Sequence, residues 1–165
     1  MKPPPFASKK NKRWKRLSQA GKMSPERMEH HHETVRVALR ITGKDLDPGE
    51  ISGLLRCEPT SAHRYGDTWT GPSGTLYEAG SGLWELEGNS QHLLEGQLEQ
   101  ILGQVEGDPE VWKGLVGRYR CSLMVEMEGL EGDWTARFSP ENLGQLGAWG
   151  IPVTLEIRSS RQETG

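Results

Sequence analysis

The segment Leu54–Asp67, "LLRCEPTSAHRYGD", gathers a thiol (Cys57), an imidazole (His63), a guanidinium (Arg64), a phenol (Tyr65) and carboxylates (Glu58, Asp67). Such a cluster is an active site if a nucleophile and its base come within hydrogen-bond reach and a third group orients them. Cys57 and His63 are the nucleophile–base pair on offer. Pro59 ends the helical pattern that precedes it, which puts Cys57 just past a helix C-terminus. The macrodipole there opposes a thiolate, the reverse of the activation at a helix N-terminus. No catalytic residue is therefore assigned. Arg64, Tyr65 and Asp67 read instead as surface-contact residues, since Arg and Tyr are enriched in binding hot spots. The plainer alternative is a structural connector, with Tyr65 and Trp69 packed on a sheet rim and Gly66 turning the chain.

A second set of chemically capable groups is acidic. Glu85, Glu87, Glu126, Glu128 and Glu156 all fall on outward positions of expected strands. Paired carboxylates can do acid–base work or hold a metal. No His or Asp accompanies them at ligand spacing, so a solvated acidic sheet face is expected. Glu126, Glu128 and Glu156 are its candidate docking residues for a basic partner. His30, His31 and His32 are adjacent and could take up a transition metal adventitiously, but nothing nearby supplies the outer shell a built site needs. No metal and no cofactor is expected. The glycines never fall as GxGxxG or GxxxxGK[ST] between strand and helix, so no phosphate loop is read.

Positioning these groups takes a scaffold, and composition bounds it. The chain has 165 residues, 33% of them hydrophobic, with a mean hydropathy of -0.69. So few apolar residues must be concentrated in a handful of elements to offset the ordering entropy. Charge is split. Residues 1–32 hold nine Lys/Arg and two Asp/Glu, whereas residues 33–165 hold eleven and twenty-one, giving +7 and -10 and a net -3. An acidic body disfavours nucleic acid as its main partner and favours a basic protein surface. Two cysteines, Cys57 and Cys121, make no disulfide framework or metal spacing. No apolar run approaches the ~20 residues of a membrane span, and no apolar region follows the basic N-terminus as in a secretory signal. The expectation is a cytoplasmic protein with reduced thiols and no membrane contact.

Residues 1–32 lack an apolar period and are expected to be a basic, disordered extension. Within it, residues 9–22, with Trp14 available for stacking, are the only segment suited to nucleic acid. Met23 and Met28 are both suitable start positions, and a start at Met28 would omit that arm. Residues 33–160 are expected to form one domain, followed by a tail over 161–165.

Within the domain, "TVRVALRIT" (34–42) alternates strictly, with Val35, Val37, Leu39 and Ile41 on one side and Arg36, Ala38, Arg40 and Thr42 on a wet one. Asp47 caps a short helix with Pro48 at its first position and Glu50 at the capping-box position. "TWT" and "GLWELEG" read as strands. The longest helix carries Leu94, Leu98, Ile101, Leu102 and Val105 in one stripe, with Ser90 as its cap. Asp108-Pro109 starts a second helix. "RCSLMVEMEG" is a strand with "DWTARFS" as its expected neighbour. Ser139-Pro140 opens the last helix, Gly150 stops it, and "IPVTLEIRS" closes the fold with Ile151, Val153, Leu155 and Ile157 inward. Strands interrupted by helices without a regular βα repeat imply an α+β fold. It is read as two layers, a mixed or mainly antiparallel sheet with helices on one face.

"LRITGKDLDPGEISGLLRCEPTSAHRYGD", "GLWELEG", the Leu-rich helix, "CSLMVEMEG" and "FSPENLGQLGAWGIPVTLEI" together resemble the bacterial family known as domain of unknown function 4279, over residues 34–158. The resemblance implies a compact intracellular domain and transfers no activity and no catalytic residue. The leading functional expectation is a non-enzymatic intracellular protein-binding module of unspecified role, one form of which would be an immunity-type neutraliser of a basic partner. One alternative is a small-ligand or enzymatic domain using Cys57–Asp67. Another is a nucleic-acid-associated protein acting through the basic arm.

Overall fold

A computed structural model describes residues 34–129 and 134–158. The basic extension, Trp14, the histidine triplet and the 161–165 tail lie outside them. The described residues fall within one compact unit, Glu33–Gly165. In chain order the elements are β1 (Thr34–Gly43), α1 (Pro48–Leu55), β2 (Ser61–His63), β3 (Thr68–Thr70), β4 (Leu76–Glu78), β5 (Gly82–Glu87), α2 (Leu94–Gln104), α3 (Pro109–Arg118), β6 (Arg120–Glu128), α4 (Pro140–Trp149) and β7 (Val153–Arg158). Five strands form a mixed sheet in the order β2-β5-β1-β6-β7, and β3 and β4 form a separate two-stranded ribbon. All pairings are antiparallel except β6–β7. This is the α+β architecture expected, with the helices on one face of an open sheet.

The alternation of β1 and β6 fixes the core. Val37, Leu39 and Ile41 of β1, with Leu123 and Val125 of β6, are fully buried on the helix side. Trp84 and Leu86 of β5 join them, two residues apart on one face. Ile51 and Leu55, then Leu98 and Ile101, then Leu115 and Leu146 are the apolar stripes that the four helices lay on that surface. Buried tryptophans each find an acceptor for the indole N–H: Trp84 donates to Ser52 Oγ at 3.1 Å, Trp112 to the Glu106 carbonyl at 2.7 Å, and Trp149 to the Gly107 carbonyl at 3.2 Å. Trp112 and Trp149 stack at 4.7 Å, joining α3 to α4.

The helix-start chemistry is local and present. Asp47 Oδ1 accepts from Gly49 N–H, Asp108 Oδ1 from Glu110 N–H and Ser139 Oγ from Asn142 N–H, each with proline at the first position. Gly150 adopts φ 73°, and its N–H and that of Ile151 close α4 on the Gly147 and Leu146 carbonyls.

Several expectations are corrected. Glu50 does not close a capping box. It accepts instead from Arg118 Nη1 at 2.7 Å, because the ionised partner on α3 offers a stronger, charge-assisted bond. Ser90 does not cap α2, which begins at Leu94 behind Leu93 without a side-chain cap. Trp134–Ser139 of the expected "DWTARFS" strand carry no regular structure, since β1 and β7 already flank β6. Two short strands appear where connectors are expected: β2 pairs with the more distant β5, and β4 pairs with β3 across the local Gly-Pro-Ser-Gly turn. Leu155 and Ile157 of β7 are 47% and 62% exposed although their row-mates Val125 and Met127 are buried, because none of the described helices covers that end of the edge strand.

Candidate functional site

The sheet face away from the helices is where the cross-strand register gathers charge. Opposite residues in an antiparallel pair share a face, and Arg36 lies opposite Glu126, while Arg40 lies opposite Glu85 and Ser122. Arg36 donates to Glu126 at 2.8 Å, to Glu85 at 2.5 Å and to Glu87. Arg40 donates to the other oxygen of Glu85 at 2.6 Å and lies 3.8 Å from Glu126. Glu85 is only 4% exposed, and each of its oxygens accepts from one of these two guanidiniums. Hydrogen bonding to Glu87, then to Glu126, with the nearby Glu85 charge, raises the Arg36 pKa against the opposing effect of burial. At the sheet edge Arg158 holds Glu128 at 2.9 Å and Glu156 at 3.4 Å. The face read as acidic is therefore a lattice of alternating charges. Of the predicted contact residues, Glu126 sits inside the lattice, and Glu128 and Glu156 share Arg158.

Arg64, Tyr65 and Asp67 are brought together at the turn between β2 and β3. Asp67 Oδ2 accepts from the Arg64 backbone N–H at 2.7 Å, and Arg64 Nη2 donates to Asp47 Oδ1 at 2.8 Å. Asp47 thus caps α1 and ties the turn to it. The Arg64 hydrogen bond, with that of Gly49, holds its carboxyl below the usual range. Gly66 takes φ 81° at the bend, and its N–H donates to the Ala79 carbonyl, while Ala79 N–H returns to Asp67. These bonds anchor the turn and present Tyr65 to solvent with Lys44 Nζ 5.2 Å from its ring centre.

Beside this turn stands a row of rings. β3 and β4 pair so that Trp69 lies opposite Tyr77, and the two stack at 5.8 Å and 16°. His63 sits 5.9 Å from Trp69 and extends the row toward the sheet. Trp69 and Tyr77 are each 47% exposed. Ser61, His63, Asp67, Thr68 and Trp69 line a shallow depression at its foot. Of the charged groups on and beside the turn, Asp47, Asp67 and Glu78 are acidic and Lys44 and Arg64 basic. Of this row, sequence reading placed Trp69 on a rim and missed Tyr77 as its partner. The available signal was the spacing of "TWT" and "LYE" across a Gly-Pro-Ser-Gly turn.

Cys57 and His63 are not brought together. His63 lies opposite Leu83, on the helix-free side with Glu85. Cys57 packs against the core on the helix side, where its thiol lies 4.0 Å from Gln104 of α2. Burial and then the Glu58 charge push the Cys57 thiol up, the direction the helix dipole argued but from different causes. Burial pushes Cys121 up to about 11. Among the described residues, no three His, Cys, Asp or Glu side chains converge as metal ligands, and no helix is long and apolar enough to cross a membrane.

Glu95 forms a separate polar centre behind α2. Its Oε1 accepts from Ser139 N–H at 2.9 Å and Asn142 Nδ2 at 2.7 Å, tying α2 to the start of α4. Burial raises its pKa, and the Ser139 and Asn142 hydrogen bonds outweigh that and lower it.

No curated protein and no solved structure matches the chain. The segments that build the sheet, the Asp47 cap and the turn at Arg64–Asp67 all lie within residues 32–160, the span matched by one protein family. The chain belongs to that family, described as Domain of unknown function (DUF4279).

Proposed function

We propose that this domain is a non-enzymatic protein-binding module that docks a basic partner through the stacked Trp69 and Tyr77, with the exposed Tyr65 on the adjoining turn. The observation that carries this reading is the Trp69–Tyr77 stack, half open to water on a ribbon set beside a rigid sheet. Stacked rings are pre-ordered, so a partner gains their area without paying much side-chain entropy. The carboxylates of Asp47, Asp67 and Glu78 beside the row favour a basic surface, mainly through encounter rate and specificity. A neutraliser of a basic toxin is one role of this kind. The lattice around Arg36 is internally compensated and contributes less to such steering than its glutamates alone suggested.

The test is capture from lysate of the source cells on the immobilised full chain, run beside a Trp69→Ala/Tyr77→Ala variant. A basic protein retained at stoichiometric level, released by salt and lost on the variant is expected, with each truncation costing about 2 kcal/mol or more in binding. The variant's folding stability should stay within ~0.5 kcal/mol of the parent, because both rings are surface groups. Equal retention on both chains, or retention of nothing, overturns the reading.

A further inference from the structure

The two edges of the main sheet are guarded unequally. β2 offers three residues and is followed at once by the β3–β4 ribbon. β7 offers six, "VTLEIR", without proline or bulge, and no strand pairs with its outer side among the described residues. An unpaired edge of this length that exposes aliphatic side chains can template further pairing.

The direction of its free backbone groups follows from the β6 pairing. Leu123 N–H donates to the Pro152 carbonyl and Gly129 N–H to the Arg158 carbonyl. In a parallel ladder, the even-numbered residues of β7 therefore turn N–H and C=O toward β6. Val153, Leu155 and Ile157 turn theirs outward. These same three residues carry the aliphatic side chains on the helix side, where Leu155 and Ile157 are left open.

We propose that β7 is a self-pairing edge, on which a second copy of this chain docks antiparallel with Leu155 on the two-fold axis. In that register Leu155 faces its own copy and Val153 faces Ile157, so every outward N–H and C=O of the three residues finds a partner. The same contacts cover the exposed Leu155 and Ile157 side chains. Each edge brings one carboxylate, Glu156, and one guanidinium, Arg158, so the joined edge is electrically balanced. Glu156 meets Thr154 of the copy. Sliding the copies so that Glu156 lies on the axis would set it against itself, and like charges directly opposite are destabilising. The two-fold axis stands perpendicular to the sheet, so both copies keep their helices on the same face of a continuous sheet.

Sedimentation of the full chain from low to hundreds of micromolar tests this. The parent is expected to dimerise, Ile157→Lys to stay monomeric throughout, and Thr154→Glu, which faces Glu156 twice, to bind roughly three- to tenfold more weakly. Thr154→Glu/Glu156→Lys should recover the lost affinity by restoring opposite charges across the axis. A monomeric parent, or a dimer unmoved by Ile157→Lys, overturns the proposal. A dimer broken by Ile157→Lys but indifferent to Thr154→Glu overturns the register.

Discussion

Val37, Leu39 and Ile41 of β1 are buried under the helices, while Arg36 and Arg40, one residue away along the strand, lie among Glu85, Glu87 and Glu126 on the other face. The first face is held by non-directional burial, which tolerates any neighbour of fitting volume. The second is held by ion pairs, in which each partner justifies the burial of the others. One strand therefore carries two kinds of stability that fail in different ways. The core face fails by cavity, and the lattice fails by stranded charge.

The comparison can be broken first on the core side. Trp84→Ala empties a fully buried site and leaves the Ser52 hydroxyl without its donor. It should cost about 3–5 kcal/mol, read as a lower urea midpoint with an unchanged slope. A loss below that range would mean that β5 and α1 collapse into the space.

The lattice side comes next. Arg36→Met removes one guanidinium from three carboxylates, including the buried Glu85, and should cost about 2–4 kcal/mol, less than a fully buried pair because Arg36 is partly open to water. Replacing Arg36, Arg40, Glu85 and Glu126 together with apolar residues of similar size should recover most of that loss, since the cost lies in stranding rather than in lost attraction. If the fourfold variant is as unstable as Arg36→Met, the two faces fail alike and the contrast is wrong.

The smallest effect belongs to Glu95, which holds α2 to α4 away from both faces. Glu95→Ala leaves the Ser139 N–H without its acceptor and should cost about 1–3 kcal/mol at neutral pH. Its folded-state pKa is lowered. Its contribution is thus full above the unfolded value, roughly 4.3, and is lost as pH falls through the lower folded one. The parent and Glu95→Ala should converge in stability on acidification. A gap that stays constant down to the acid transition would show that the ionised carboxylate adds nothing.

What could be read from sequence is what local chemistry decides. Asp47-Pro48, Asp108-Pro109 and Ser139-Pro140 start helices because cap and first turn are neighbours in the chain. The alternation in β1, β5 and β6 likewise marked the buried sides. Arg36 was read correctly as outward, yet its partners Glu85 and Glu126 lie 49 and 90 residues away, and no local pattern says which strands adjoin. The exposure of Leu155 was hidden for a related reason. Alternation names the side a residue faces but not how far the opposite layer extends. The Arg64–Asp67 turn fell between these cases. Its residues were singled out together, but the link from Arg64 to Asp47 spans 17 positions, and that link anchors the turn.

Gln97 has a consequence of another kind. Its side chain, 1% exposed, accepts from Val37 N–H at 3.0 Å and donates to the Val35 carbonyl at 2.9 Å, continuing the ladder where β5 ends. Gly88 is the residue that lets it in, since a Cβ there would lie 2.6 Å from Gln97 Cβ. A helix side chain thus acts as a length of strand. The first residues of β1 are thereby tied to α2, and lifting α2 would strip the Val37 N–H and the Val35 carbonyl of these partners. Opening of that end of the sheet is thus coupled to the docking of a helix.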